Sequence, residues 1–144
     1  VTAAKALMFY EAGKAEFKKY QEKVVKNAKS LESALRKNGF ALATGGTDNH
    51  LILVDLKKSQ LDGLTAERVL EKNGITANRN SIPGDTSPFK PSGLRLGTPA
   101  VTTRGMGENE MEKIGDLIFR ALIKKENVLK EVKKLCRKFP LKYK

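Results

Sequence analysis

The length of 144 residues suits one compact domain, and 40% hydrophobic against 31% charged residues allows a core and argues against global disorder. A formal net charge of +12 attracts anions, but lysines spread over helix-like segments favour a solvated surface over a specific nucleic-acid site. No apolar run approaches the roughly 20 residues that span a bilayer, so no membrane partner is expected.

The first predicted element is a long helix over about residues 4–37. Its apolar residues recur at steps of three, four or seven, and lysines fill much of the remainder. Gly13 and Lys14 interrupt this stripe, which allows a bend there, and Asn38-Gly39 ends the helix. The stripe consists of Leu7, Tyr10, Phe17, Tyr20, Val24, Ala28, Leu31 and Leu35.

Two strands, a short helix and a third strand are predicted next. Apolar runs at 40–43 and 50–56 flank a glycine-rich polar loop, and the second run is apolar on both faces, which indicates an interior strand. Residues 65–72 form a short helix closed by Asn73-Gly74. Residues 75–78 are the third strand candidate.

Residues 79–93 predict a long loop, because three prolines and two glycines exclude a regular element. Loops of this length inside a compact domain are usually functional or disordered. Ile82 and Phe89 are apolar and argue for an ordered loop that packs partly against the core. Taken alone, Asn80 is typical of a turn and Phe89 of a loop anchor in the core.

Residues 94–97 predict a strand, in which alternation points Arg95 away from its two leucine neighbours. Thr98-Pro99 starts a helix with Thr98 as the N-cap, and amphipathic helices follow at 109–124 and 127–138. This order of elements predicts an α+β fold. We expect one domain over 1–144, with a small, mostly antiparallel sheet and helices packed on one face.

The rarest residue types limit the chemistry. Cys136 lies among apolar residues at helical spacing, which favours a small buried hydrophobic residue over a catalytic thiol. With one cysteine and one histidine, His50, no metal site is expected. The single cysteine also favours a reducing, cytoplasmic compartment.

The segment from Asn80 to Ala100 carries the candidate site. Its prolines reduce the entropy lost on ordering, and its glycines allow another group to approach closely. A stiff loop leading into a strand that presents one arginine suits an anion clamp, because a guanidinium binds a carboxylate with two parallel hydrogen bonds. On the residues alone, a salt bridge or an exposed edge-strand position for Arg95 stays open.

Five ordered blocks make the chain recognisable: Gly45-Gly46-Thr47-Asp48-Asn49-His50-Leu51, Asn80-Ser81-Ile82-Pro83, Ser87-Pro88-Phe89, Ser92 to Ala100, and Thr103-Arg104-Gly105. On these blocks and their spacing, nearly the whole chain resembles the C-terminal part of serine hydroxymethyltransferase. The resemblance implies an enzyme of the aspartate-aminotransferase fold type that depends on pyridoxal 5'-phosphate (PLP). That enzyme moves a one-carbon unit between serine and tetrahydrofolate, giving glycine and 5,10-methylenetetrahydrofolate.

The resemblance also implies site residues and partners. Arg95 would bind the carboxylate of the amino acid, while Asn80, Ser87, Pro88 and Phe89 would lie at the pterin end of the folate. The implied partners are serine or glycine, tetrahydrofolate, the N-terminal PLP domain of the same enzyme and further copies in a homodimer or tetramer.

One departure from the family pattern is large. The lysine that holds PLP lies in a motif ending Thr-His-Lys, and no such motif occurs in this sequence. The phosphate cradle and the aspartate for the pyridine nitrogen belong to the same missing portion. We therefore expect an excised fragment, starting at Val1, that holds no catalytic residue and is inactive alone.

Three alternatives stay open. Another PLP enzyme of this fold type, such as an aminotransferase, would use the arginine but would not need Asn80 or the 87–89 block. A nucleic-acid module would use the lysine-rich end over 130–144, and the salt dependence of binding would reveal it. An interaction domain would expose apolar surface, which predicts self-association through the first helix or the 79–93 loop.

Overall fold

The computed structural model describes residues 1–87 and 89–141. A short 3₁₀ helix, Lys57–Ser59, precedes the third α-helix. The α-helices and strands of these ranges are, in chain order, α1 (Thr2–Ala12), α2 (Ala15–Lys37), β1 (Ala41–Leu42), β2 (Leu51–Asp55), α3 (Gly63–Lys72), β3 (Asn78–Asn80), β4 (Gly93–Gly97), α4 (Pro99–Thr103), α5 (Glu108–Leu122) and α6 (Leu129–Lys138).

The four strands form one sheet in the order β1-β2-β4-β3, and every neighbouring pair is antiparallel. The predicted α+β class is therefore confirmed. The strand predicted at 50–56 is interior, as its two apolar faces indicated, and β4 is interior as well. The register places Arg95 directly opposite Leu53 of β2 and Asn78 of β3.

Helices cover one face of this sheet. Ile52, Val54, Leu94 and Leu96 alternate toward that face and are at most 5% exposed. Their side chains join a core cluster with apolar residues of α2, α3 and α5 and with Val132 of α6. Because neighbouring side chains alternate, Arg95 lies on the opposite, helix-free face.

Three contacts hold α2 against the part of the chain that follows β4. Gly115 of α5 comes so close to α2 that an added Cβ would lie 2.6 Å from the Cβ of Ala34. The buried amide of Asn27 donates to Thr102 Oγ1 at 2.8 Å and to Met106 O at 3.0 Å. Thr98 holds the predicted N-cap position, but its hydroxyl donates to Val24 O at 2.9 Å and caps no backbone amide.

The prediction of one helix over about 4–37 was wrong, because the chain forms two helices. Lys14 is extended, with φ −78° and ψ 151°, and separates α1 from α2. The apolar stripe is buried from Val24 to Leu35 of α2, whereas Phe17 of α2 is 39% exposed, and Leu7 and Tyr10 of α1 are 61% and 67% exposed. No residue of α1 is buried, since no surface within the described residues covers it.

The prediction of a strand over 75–78 was wrong for residues 75–77. Ile75 belongs to the turn that closes α3, where its amide donates to Leu70 O at 2.9 Å after Gly74 at φ +75°. The strand β3 begins at Asn78 instead. Asn80 is therefore the last residue of a strand and does not lie in a turn.

Candidate functional site

The helix-free face of the sheet presents Arg95 at its centre. The residue is exposed and sits on an interior strand, so it is not an edge-strand arginine. Within residues 1–87 and 89–141 it forms no ion pair with a carboxylate. Neither of the two simpler explanations of Arg95 therefore holds in the described part of the chain.

Asn78 orients the guanidinium. With its amide placed to satisfy its hydrogen bonds, Asn78 Oδ1 accepts from Arg95 Nη2 at 2.8 Å and Nδ2 donates to Ala77 O at 3.2 Å. This contact holds Nη2 of the guanidinium and leaves the other N–H donors of Arg95 facing outward. Sequence reasoning missed Asn78; a strand placed at 78–80 would have put it on the same face as Asn80.

A cleft of about 440 Å³ surrounds Arg95. Among the described residues, no lysine and no carboxylate line it, and Arg95 supplies a guanidinium. The cleft therefore fits a carboxylate but not PLP, for which it offers neither a lysine to bond nor an acid for the pyridine nitrogen. Its lining residues are His50, Leu51, Thr76, Ala77, Asn78, Arg95, Leu96 and Gly97.

Asn80 lies on the same face as Arg95 and is its diagonal neighbour across the β3–β4 ladder, a position from which long side chains can still interact. Its side-chain amide makes one long contact, from Nδ2 to Ser81 O at 3.4 Å. The amide therefore keeps most of its capacity to donate and accept. Asn80 does not line the Arg95 cleft.

A carboxylate organises the loop between β3 and β4. Asp85 Oδ2 accepts from the amides of Ser92 at 2.9 Å and Ile82 at 3.0 Å. Lys57 Nζ lies 3.5 Å from Asp85 Oδ1 and donates to Pro83 O at 2.9 Å. The hydrogen bonds from Ser92, then that from Ile82 and the charge of Lys57, hold the pKa of Asp85 well below its usual value.

The prediction that the loop packs partly against the core is confirmed for Ile82 and wrong for Phe89. Ile82 is 6% exposed and packs beside Gly93, whereas the side chain of Phe89 is 89% exposed. Ser87 Oγ accepts from the Phe89 amide at 3.2 Å, which forms a local turn. Pro88 lies outside the described residues.

The structure thus brings together some of the predicted site residues. Arg95 and Asn80 share the helix-free face, and Asn78 joins them. Ser87 and Phe89 lie in the middle of the loop and do not line the Arg95 cleft. The arrangement can bind and orient an anion, and nothing in the cleft assigns a nucleophile.

Residues 1–87 and 89–141 hold no group of three or more His, Cys, Asp and Glu side chains able to bind a metal ion. Among the same residues, no helix combines the length and apolarity needed to cross a membrane.

Comparisons with a family model and with a curated protein point to the same family. The model of the family described as serine hydroxymethyltransferase matches residues 1–118. A curated protein named serine hydroxymethyltransferase, from Methanospirillum hungatei JF-1, is 51% identical over an alignment covering 98% of this chain. The chain spans only 36% of the length of that relative.

Proposed function

Because the chain belongs to the serine hydroxymethyltransferase family, we propose that it is part of a longer enzyme interconverting serine plus tetrahydrofolate and glycine plus 5,10-methylenetetrahydrofolate. The observation that carries this proposal is Arg95. Its guanidinium is oriented by Asn78 on the helix-free face and has no carboxylate partner among the described residues.

Arg95 binds the carboxylate of serine or glycine in this proposal. A guanidinium and a carboxylate form two parallel charge-assisted hydrogen bonds, which fix the orientation of the amino acid as well as its position. The contact with Asn78 removes part of the side-chain freedom that binding would otherwise cost. Among the residues that the structure describes, no acid lines the cleft to compete for the arginine.

Asn80 and the loop form part of the folate site in this proposal. An asparagine amide can both donate to and accept from the edge of a pterin. The hydrogen bonds of Asp85 hold the loop in shape, so its backbone groups are positioned before the ligand arrives. Ser87, Pro88 and Phe89 would then contact the pterin end, and the exposed ring of Phe89 is available to a ligand or a facing domain.

PLP would be held by the remainder of the longer enzyme, which would face the Arg95 side of the sheet. The bound cofactor supplies an electron sink for negative charge at the substrate carbon. The residues of this chain contribute the grip on the carboxylate and the folate contacts. We therefore propose that the 144-residue chain alone is inactive and that the longer protein assembles as a cytoplasmic homodimer or tetramer.

The test of this proposal is Arg95→Ala in the longer enzyme. Losing hydrogen bonds to a charged group costs about 1.5–3 kcal/mol, so kcat/KM for serine should fall by roughly 10- to 100-fold. Steady-state assays with serine measure the change. Arg95→Lys should recover only part of the loss, since an ammonium cannot form the two-pronged contact.

The matched control is Arg68→Ala, which removes an exposed arginine from α3. Its kcat/KM should stay at the level of the unaltered enzyme. A serine analogue that lacks the carboxylate should be processed equally by the unaltered and Arg95→Ala enzymes. The assignment would be contradicted if Arg95→Ala and Arg68→Ala lowered kcat/KM for serine equally. It would also be contradicted if Arg95→Ala lowered kcat/KM equally for serine and for the analogue.

A further inference from the structure

A second cavity lies on the helix-covered side of the sheet, between β4, α4, α5 and α6. Its volume is about 250 Å³ and its wall is mostly apolar. Of the described residues that line it, Arg104 is the only charged one. Its apolar wall includes Leu96 of β4, Val101 of α4, Ile118 of α5 and Val132 of α6.

The guanidinium of Arg104 is incompletely satisfied. Its Nη2 donates to Cys136 O at 2.8 Å, which ties the end of α4 to α6. Its Nε is buried and has no acceptor within residues 1–87 and 89–141. In the same ranges Arg104 takes part in no ion pair, and no carboxylate lines the cavity. A partly buried cation without a counter-ion is unfavourable until an anion is supplied.

We propose that this cavity binds a small apolar monocarboxylate of about the size of benzoate. The carboxylate would pair with the guanidinium of Arg104, and the apolar body would fill the space between α5 and α6. A dry cavity of about 150 Å³ accommodates benzene, so 250 Å³ suits a ring that carries a carboxylate. A dianion is disfavoured, because the described part of the chain places no second cation on the wall.

This site is independent of Arg95 and of the proposed enzyme activity. Arg95 points to the opposite face of the sheet, and Arg104 does not line its cleft. The site can therefore be tested on the 144-residue chain itself.

The first experiment titrates 4-fluorobenzoate into the chain and follows binding by fluorine NMR, with neutral 4-fluorobenzamide as the comparison. We expect the carboxylate to bind at least about tenfold more tightly than the amide. Arg104→Met replaces the guanidinium by an apolar side chain and should remove the preference for the carboxylate over the amide. Arg68→Met, on the exposed side of α3, should leave it unchanged.

The second experiment needs no variant and so remains decisive if Arg104→Met does not fold. Cys136 lines the cavity and is the single cysteine of the chain. Benzoate at a few times its dissociation constant should slow alkylation of Cys136 by iodoacetamide several-fold, and benzamide at the same concentration should slow it far less. Any of three results overturns the proposal. The acid and the amide could bind with equal affinity, a folded Arg104→Met variant could keep the preference for the acid, or benzoate could leave Cys136 unprotected.

Discussion

Gly93 shows how a single residue shapes the face that carries Arg95. It lies opposite Asn80 on one side and Asp55 on the other. A Cβ at this position would lie 2.5 Å from Ile82 Cγ2 and 2.6 Å from Asn80 O. The carbonyl belongs to the paired strand and cannot move without breaking the ladder, so only a hydrogen fits.

Replacing Gly93 by alanine should therefore destabilise the chain. Overpacking of this kind costs about 1–3 kcal/mol, and urea unfolding followed by circular dichroism measures the difference. Gly97→Ala in the same strand is the matched control, since its Cβ would meet nothing closer than 3.7 Å. That variant should lie within about 0.5 kcal/mol of the unaltered chain. Similar costs at both positions would show that close contact at Gly93 is not the cause.

The loop between β3 and β4 is held together by hydrogen bonds of its own. The Asp85 side chain is 4% exposed and joins the two ends of the loop through the amides of Ile82 and Ser92. A further backbone bond, from Leu56 N to Ser92 O at 3.0 Å, attaches the loop to the end of β2. The shape of the loop thus depends on a carboxylate in addition to its prolines.

This arrangement makes the stability of the loop depend on pH. The folded-state pKa of Asp85 lies below its unfolded value, so its stabilisation is complete above about pH 4 and is lost as the pH falls toward the folded pKa. Asp85→Asn should lower the melting temperature at neutral pH, and the gap to the unaltered chain should narrow as the pH drops from about 4 to 2.

Thermal unfolding across this range measures the gap. Asp48→Asn is the control for the loss of one negative charge, because the Asp48 side chain is fully exposed. It should change the melting temperature far less at neutral pH. A gap for Asp85→Asn that widens on acidification would contradict the proposed role of its carboxylate.

At the scale of the whole molecule, α1 is the part that packs least. Leu7, Phe9 and Tyr10 are all more than 60% exposed on it. Large apolar side chains exposed together in this way mark a surface that another body covers. In the longer enzyme proposed above that body would be the rest of the protein, and in the isolated chain it would be a second copy.

Self-association of the isolated chain is therefore expected at high concentration. Phe9→Glu should weaken it by about tenfold or more, because it removes one large apolar contact and adds a charge. Sedimentation velocity at moderate salt, which screens the repulsion due to the +12 charge, measures the association. Ile123→Glu is the control at an exposed apolar position outside α1. A chain that stays monomeric, or equal effects from the two substitutions, would count against α1.

Local patterns were sufficient for much of the fold. The alternation around Arg95 predicted which way it faces, because a strand turns successive side chains to opposite sides whatever it pairs with. The doubly apolar run at 50–56 indicated an interior strand for the same reason, and Thr98-Pro99 marked the start of a helix. Motif order within the chain predicted the family, which the comparisons confirmed.

Contacts between distant residues were decided only by the tertiary structure. The pairing register brings Asn78 to Arg95, and the folding back of the loop brings the amide of Ser92 to Asp85. The exposure of α1 also depends on which surfaces lie nearby, although its sequence pattern is that of a buried helix. The sequence by itself determined the periodicity and chain order of these groups, because both are local. It did not determine their partners, since a hydrogen bond or a buried face depends on residues that only folding brings together.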